Sequence, residues 1–295
     1  MPVTPRDALG VPFDLPSGEP ADSPQVGDVW LLAVGDQIAG VVMVAAVRPT
    51  HVLAWPVTNP SDDAAAPAFP FTLLSGEGLV AWPDAEFGLS MATLYRRLAP
   101  LVLDDRRLRA IRWSMGTGEE VPGHQPCPSL ESERADAAFE AVCASAWTMG
   151  EWSWPNSRVG VGVFSPEALE EAEVRPADLG RHLGLKPVRA SALARGEKVP
   201  SGNEVACVIE LFPEGTTSAD ILRPPRGDDA EVLAHPEFKA DVLQLVETTG
   251  TPEDEARSVV WEAACSRAAR QAIQGDRLGA ARARVAFAIE SLLEN

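Results

Sequence analysis

Tyrosine occurs once in the 295 residues, and cysteine and histidine four times each. Cys127, Cys143, Cys207 and Cys265 lie far apart and form no C-x-x-C pair. Their scatter excludes a dense disulfide framework and suits a reducing compartment. His51, His124, His182 and His235 are isolated from one another and from the cysteines, so no metal site is expected. No stretch approaches the roughly 18 uninterrupted apolar residues that a membrane-spanning helix needs. The opening residues lack the basic-then-apolar order of a signal peptide, which makes a cytoplasmic protein the expectation. A glycine-rich phosphate loop and a G-x-S-x-G elbow are both missing, so no cofactor is implied. Positive charge is scarce as well. Twenty-five Lys+Arg stand against 43 Asp+Glu, a formal charge of −18. That balance excludes a general coating of nucleic acid, and favours solubility or docking onto a basic partner.

What is present is ample apolar content, 45%, with 26 Pro, 23 Gly and eight Trp. The length favours two domains over one core. Residues 1–24, rich in Pro, Asp, Ser and Gly, are expected to be a flexible leader. Residues 25–113 contain short Val-rich runs, QVGDVWLLAVGD, IAGVVMVAAVR and HVLAWPVT, broken by Gly, Asp and Pro. Strands at roughly ten-residue spacing predict a small curled sheet or barrel. Residues 114–160 form a helical connector, with Leu130, Ala137, Val142 and Trp147 among its apolar positions and Trp152 and Trp154 as packing residues. PEGTTSADILRPPRGDDAEV is a linker by composition. Residues 231–295 are expected to be helical. There Leu278, Val285, Ala288, Ile289 and Leu292 share one face, which either pairs with a second copy in a homodimer or packs on its own domain.

The most informative stretch is Arg175 to Phe212, RPADLGRHLGLKPVRASALARGEKVPSGNEVACVIELF. Leu179, Leu183, Leu185, Ala190 and Leu193 sit at the offsets that bury one side of two helices joined by a tight turn. Gly180 allows the helices to approach, Gly184 suits a positive φ in the turn, and Gly196 suits the end of the second helix. Ser165 with Pro166 signals a helix start before this stretch, and Ser201 with Glu204 forms a capping box after it. Charge reverses here. Arg175, Arg181, Lys186, Arg189, Arg195 and Lys198 face only Asp178 and Glu197. A basic island in an acidic chain is the footprint of phosphate contact.

Residues 165–212 resemble the helix-turn-helix domain of the Xre/Cro-like repressors, within a helical domain expected over 161–220. The chain departs from that family at Pro176, where a polar residue is usual, and at Ala190, where Val or Ile is usual. The resemblance implies double-stranded DNA as partner. Lys186, Arg189 and Ser191 would approach base edges or phosphates from the helix 186–195, with Arg181 and Lys198 on the flanking backbone and Arg195 a further DNA contact.

A second resemblance lies in 25–113. GDVW at Gly27–Trp30, WPVT at Trp55–Thr58 and LYRRLAPLVLDDRRL ending at Leu108 are similar to PemK/MazF-type toxins, sequence-specific endoribonucleases built on an SH3-like barrel. The resemblance carries that family's catalytic threonine onto Thr58. Its arginine before the second strand has no counterpart, because Gln37-Ile38-Ala39-Gly40 occupies that place. A cation aimed at the developing phosphate charge is a large part of such catalysis.

The expected fold is therefore α+β: a small SH3-like β-barrel, then a helix-turn-helix domain and C-terminal helices. The expected function is a DNA-binding transcriptional regulator whose degenerate, non-catalytic barrel binds a protein partner. One alternative is a toxin-like endoribonuclease using Thr58 and an arginine from the cluster Arg96, Arg97, Arg106, Arg107, Arg109 and Arg112. The other is an antitoxin-like or scaffolding interaction protein.

Overall fold

The computed structural model describes residues 23–35, 37–59, 68–73, 76, 78–100, 102–117, 132–155, 162–268 and 276–294. The expected leader (but for its last two residues), most of the loop after Asn59, His124, Cys127, Leu130 and the stretch 269–275 of the expected helical tail lie outside them. The chain divides into two compact units, residues 1–153 with 235–240, and residues 154–234 with 241–295. The α+β class holds: strands dominate the first unit and helices the second.

Seven strands build the first unit: β1 (Val29–Val34), β2 (Gln37–Val47), β3 (His51–Thr58), β4 (Phe69–Thr72), β5 (Gly78–Ala81), β6 (Phe87–Ser90) and β7 (Leu94–Ala99). They pair antiparallel in the order β4-β5-β3-β2-β1-β7. One edge of β3 serves two partners in turn, β6 over His51–Ala54 and β5 over Val57–Thr58. Helix α1 (Asp105–Thr117) and helix α2 (Ser132–Glu151) complete the unit.

A closed barrel was the expectation, and among the described residues the sheet is open: β4 and β7 end the ladder and do not pair with each other. The reason lies in its cores. Val29, Met43, Trp55 and Val57 pack on one face with Leu108 and Ile111 of α1. Trp30, Val42, Val44 and Ala54 pack on the other with Ala146 and Met149 of α2. A sheet covered by helices on both faces has no single interior to close around. It also explains why β2 reads as an unbroken apolar run rather than an alternating one.

The GDVW motif is a packing device. Gly27 has φ +89°, and a Cβ there would stand 1.8 Å from the Leu103 carbonyl oxygen. Asp28 is fully buried; its carboxylate accepts from the Gln25 N–H at 3.0 Å and faces Arg97 at 3.8 Å. The returning segment 235–240 belongs to this unit through Lys239. That side chain is buried, donates from Nζ to the Ala33 carbonyl at 2.8 Å and lies 5.2 Å from the centre of the Trp152 ring.

The second unit opens with β8 (Val163–Phe164) and four short helices: α3 (Pro166–Glu171), α4 (Pro176–His182), α5 (Pro187–Ala194) and α6 (Gly202–Ile209). Then follow α7 (Ser218–Ile221) and β9 (Leu222–Arg223), which pairs with β8 and ties the end of the group to its start. The linker read from composition is thus structured, with Ile221 and Leu222 buried. Helices α8 (Asp228–Leu233), α9 (Lys239–Thr249), α10 (Glu253–Ala268) and α11 (Arg277–Leu293) complete the chain. In α11 Val285, Ala288 and Ile289 are buried while Leu278 is 45% exposed, so part of the expected apolar face is packed and part is open. Asp229 is buried too. It pairs with Arg284 at 2.7 Å.

Candidate nucleic-acid interface

The pair α4 and α5 is built as its sequence dictates. Pro176 and Pro187 occupy first-turn positions, where the missing N–H is not needed. Gly184 and Gly196 take φ +64° and +65°, the left-handed values that the turn and the helix end require. A Cβ added at Gly180 would lie 3.3 Å from the Ala190 Cβ. The two departures from the repressor pattern thereby make sense: Pro176 starts a helix, and Ala190 is small because its neighbour across the pair is a glycine. Ser201 and Glu204 close the expected capping box, with the Ser201 N–H donating to Glu204 Oε2 at 2.7 Å.

Ala190, Leu193 and Ala194 are buried under α5, while Lys186, Pro187, Val188 and Arg189 are exposed at its start. The six residues expected to touch DNA do not share one condition. Lys186 is exposed and makes no ion pair among the described residues. Ser191 is half-buried. Arg189 donates from Nε and Nη2 to Glu204 at 3.0–3.2 Å, and Glu204 is only 13% exposed. Arg195 grips Glu197 with two bonds of 2.6 and 2.7 Å. Arg181 pairs with Asp178 at 3.4 Å and Lys198 with Glu262 at 2.8 Å. The expectation of a free cationic set is therefore not met: four of its five cations already face carboxylates.

Two of those acids come from outside the stretch that reads as basic, Glu204 from α6 and Glu262 from α10. Burial by itself raises the Glu204 carboxyl, but the Ser201 N–H and Arg189 outweigh it and hold the group below its usual range. Hydrogen bonds from Arg195 hold Glu197 low, and Arg195 is raised in turn.

Val188 escaped notice in the sequence, and it is the most exposed large apolar side chain among the described residues, at 82%. Helical spacing was the available signal. Val188, Ala192 and Arg195 fall at i, i+4 and i+7, opposite the buried Ala190, Leu193 and Ala194.

Thr58 sits elsewhere, at the end of β3 in the first unit. Its hydroxyl accepts from the Trp82 indole N–H at 2.9 Å. Beside it lies a cleft of about 140 Å³ lined by Val41, Pro56, Val57, Val142, Ser145 and Met149 among others, with no charged side chain. Four of the six arginines offered as substitutes are engaged elsewhere. Arg97 faces Asp28, Arg109 pairs with Asp105 and Arg112 with Glu86. Arg96 stacks over Tyr95 at 5.0 Å. The described residues hold no group of three or more His, Cys, Asp or Glu arranged for a metal ion. No helix among them is long and apolar enough to cross a membrane.

No family model, curated protein or solved structure matches the chain.

Proposed function

We propose that the chain is a DNA-binding regulator, with α4 and α5 as a helix-turn-helix and α5 as the helix that enters the major groove. The observation that carries this reading is the open start of α5, where Lys186 to Arg189 are all exposed above a buried Ala190 and Leu193. Exposed ion pairs hold their partners weakly in water, so Arg181 and Arg195 can exchange a carboxylate for a phosphate. Arg189 and Lys198 are held harder, because Glu204 and Glu262 are partly buried. The first unit is read as a non-catalytic module in this proposal, since no charged side chain among the described residues lines the cleft beside Thr58.

Duplex binding tests it, with fluorescence anisotropy followed across salt concentration. About three phosphate contacts per copy predict a slope of log K against log salt near −3. Glu204→Gln removes the charge facing Arg189 and should tighten binding by about tenfold if Arg189 then joins the phosphate contacts, the gain expected of a charged hydrogen bond. Binding that is absent at 50 mM salt in both proteins would remove DNA as the partner.

The four ion pairs favour a second reading, an antitoxin-like or scaffolding interaction protein whose α5 meets a protein surface. Complex formation with no dependence on salt and no response to Glu204→Gln would support that reading over the first.

A further inference from the structure

We propose that α5 reads thymine methyl groups, through Val188 and Ala192, and that Arg189 is not a base reader. This rests on the DNA-binding reading and adds the chemistry of its specificity. Successive residues of an α-helix turn by about 100°, so residues four apart lie almost above one another. With Ala190, Leu193 and Ala194 buried, the centre of the opposite face falls on Val188 and Ala192. Arg189 is about 100° from Val188, on the flank, where Glu204 holds it bidentately. The first two turns of the outward face therefore offer methyl groups, and the donor on that stripe, Arg195, stands at the C-cap, engaged with Glu197. In the major groove the one apolar feature of a base edge is the 5-methyl group of thymine, and small aliphatic side chains are what contact it. At 82% exposure the Val188 side chain is open to contact, and its truncation costs the fold little packing. The cations around it, Lys186 at the N-cap, Arg181 on α4 and Arg195 at the C-cap, are placed to fix register on the backbone rather than to read sequence. The chemistry recognised is thus an A·T-containing duplex, read by its methyl groups.

The test uses the full-length protein to select from a pool of random duplexes at low salt. Each thymine of the winning duplex is then replaced in turn by deoxyuridine, which lacks only the 5-methyl group. At one or two positions the replacement should weaken binding about fourfold, the effect of one methyl group left exposed. Val188→Ala should lose most of that penalty, and Val188→Thr, which keeps one methyl, should retain part of it. Val188 is exposed, so neither substitution endangers the fold. Arg189→Ala should change affinity by less than about twofold, in contrast to the 5- to 150-fold expected of a bidentate base contact. If the selected duplex tolerates deoxyuridine at every thymine, or if Val188→Ala pays the same penalty as the unaltered protein, the methyl-reading proposal is overturned while DNA binding stands. If no duplex is selected at all, the regulator reading fails and this proposal fails with it.

Discussion

Glu204 carries two duties on one carboxylate. One oxygen caps α6 by accepting from the Ser201 N–H, and the pair of oxygens receives the Arg189 guanidinium. Its folded pKa lies below the ordinary 4.5, so its contribution to stability is complete above that value and is lost as pH falls through the lowered one. Thermal melts between pH 6 and 3 should show a stability loss in the native chain that Glu204→Gln lacks, since the amide does not titrate. The same protonation frees Arg189, which makes acid a reversible way to unmask it. Cys265 illustrates the opposite effect of surroundings. Burial and the nearby Asp229 push its thiol up to about 12, so it should resist alkylation at pH 8 while the exposed Cys207 reacts, as mass spectrometry of the labelled protein would show.

The helix pair α4 and α5 was legible residue by residue. Gly180, Gly184 and Gly196 and the capping serines all stand where local chemistry places them, whereas Pro176, read as a departure, and Pro187, which drew no reading, turn out to open their helices. Such signals are short-range, and the chain states them within a few positions. What the sequence concealed is long-range. Nothing near Arg189 or Lys198 announces Glu204 or Glu262, which α6 and α10 bring in, and a count of charges along 175–198 misses both. Val188 was hidden differently: its position opposite a buried face becomes visible only once that face is fixed. In the first unit, strand runs were readable but their closure was not. Val-rich segments look alike whether one face or both are covered, and the two helices that cover the sheet decide against a barrel. Ala190→Val tests the fit between α4 and α5. It restores the size usual in the repressors this stretch resembles, but against Gly180 it should cost about 1–3 kcal/mol in a denaturant titration, as overpacking does. Gly27→Ala should do worse, about 3 kcal/mol or more, because the added atom meets a backbone carbonyl and the φ is unfavourable together.

Across the whole molecule, the charge of −18 sets the terms on which any duplex can be held. A carboxylate faces most of the cations that the basic island offers; under the DNA-binding proposal this would limit the grip on random DNA and leave more of the discrimination to contacts at the centre of α5. The division into units has its own test. Lys239 reaches the Ala33 carbonyl and the Trp152 ring from far along the chain. Residues 1–153 made alone should therefore be less stable than the full chain, by circular dichroism melts, and restoring 235–240 through a short flexible tether should recover most of the difference.

The placement of 235–240 also orders events on the ribosome. The first unit cannot be finished until residue 240 has emerged, after the whole of 154–234 has already been made. At the usual pace of synthesis that is a delay of roughly 4–16 s. During it the short helices α3 to α7 are free to begin assembling, whereas α8 still awaits α10 and α11, which pack against it and are made last.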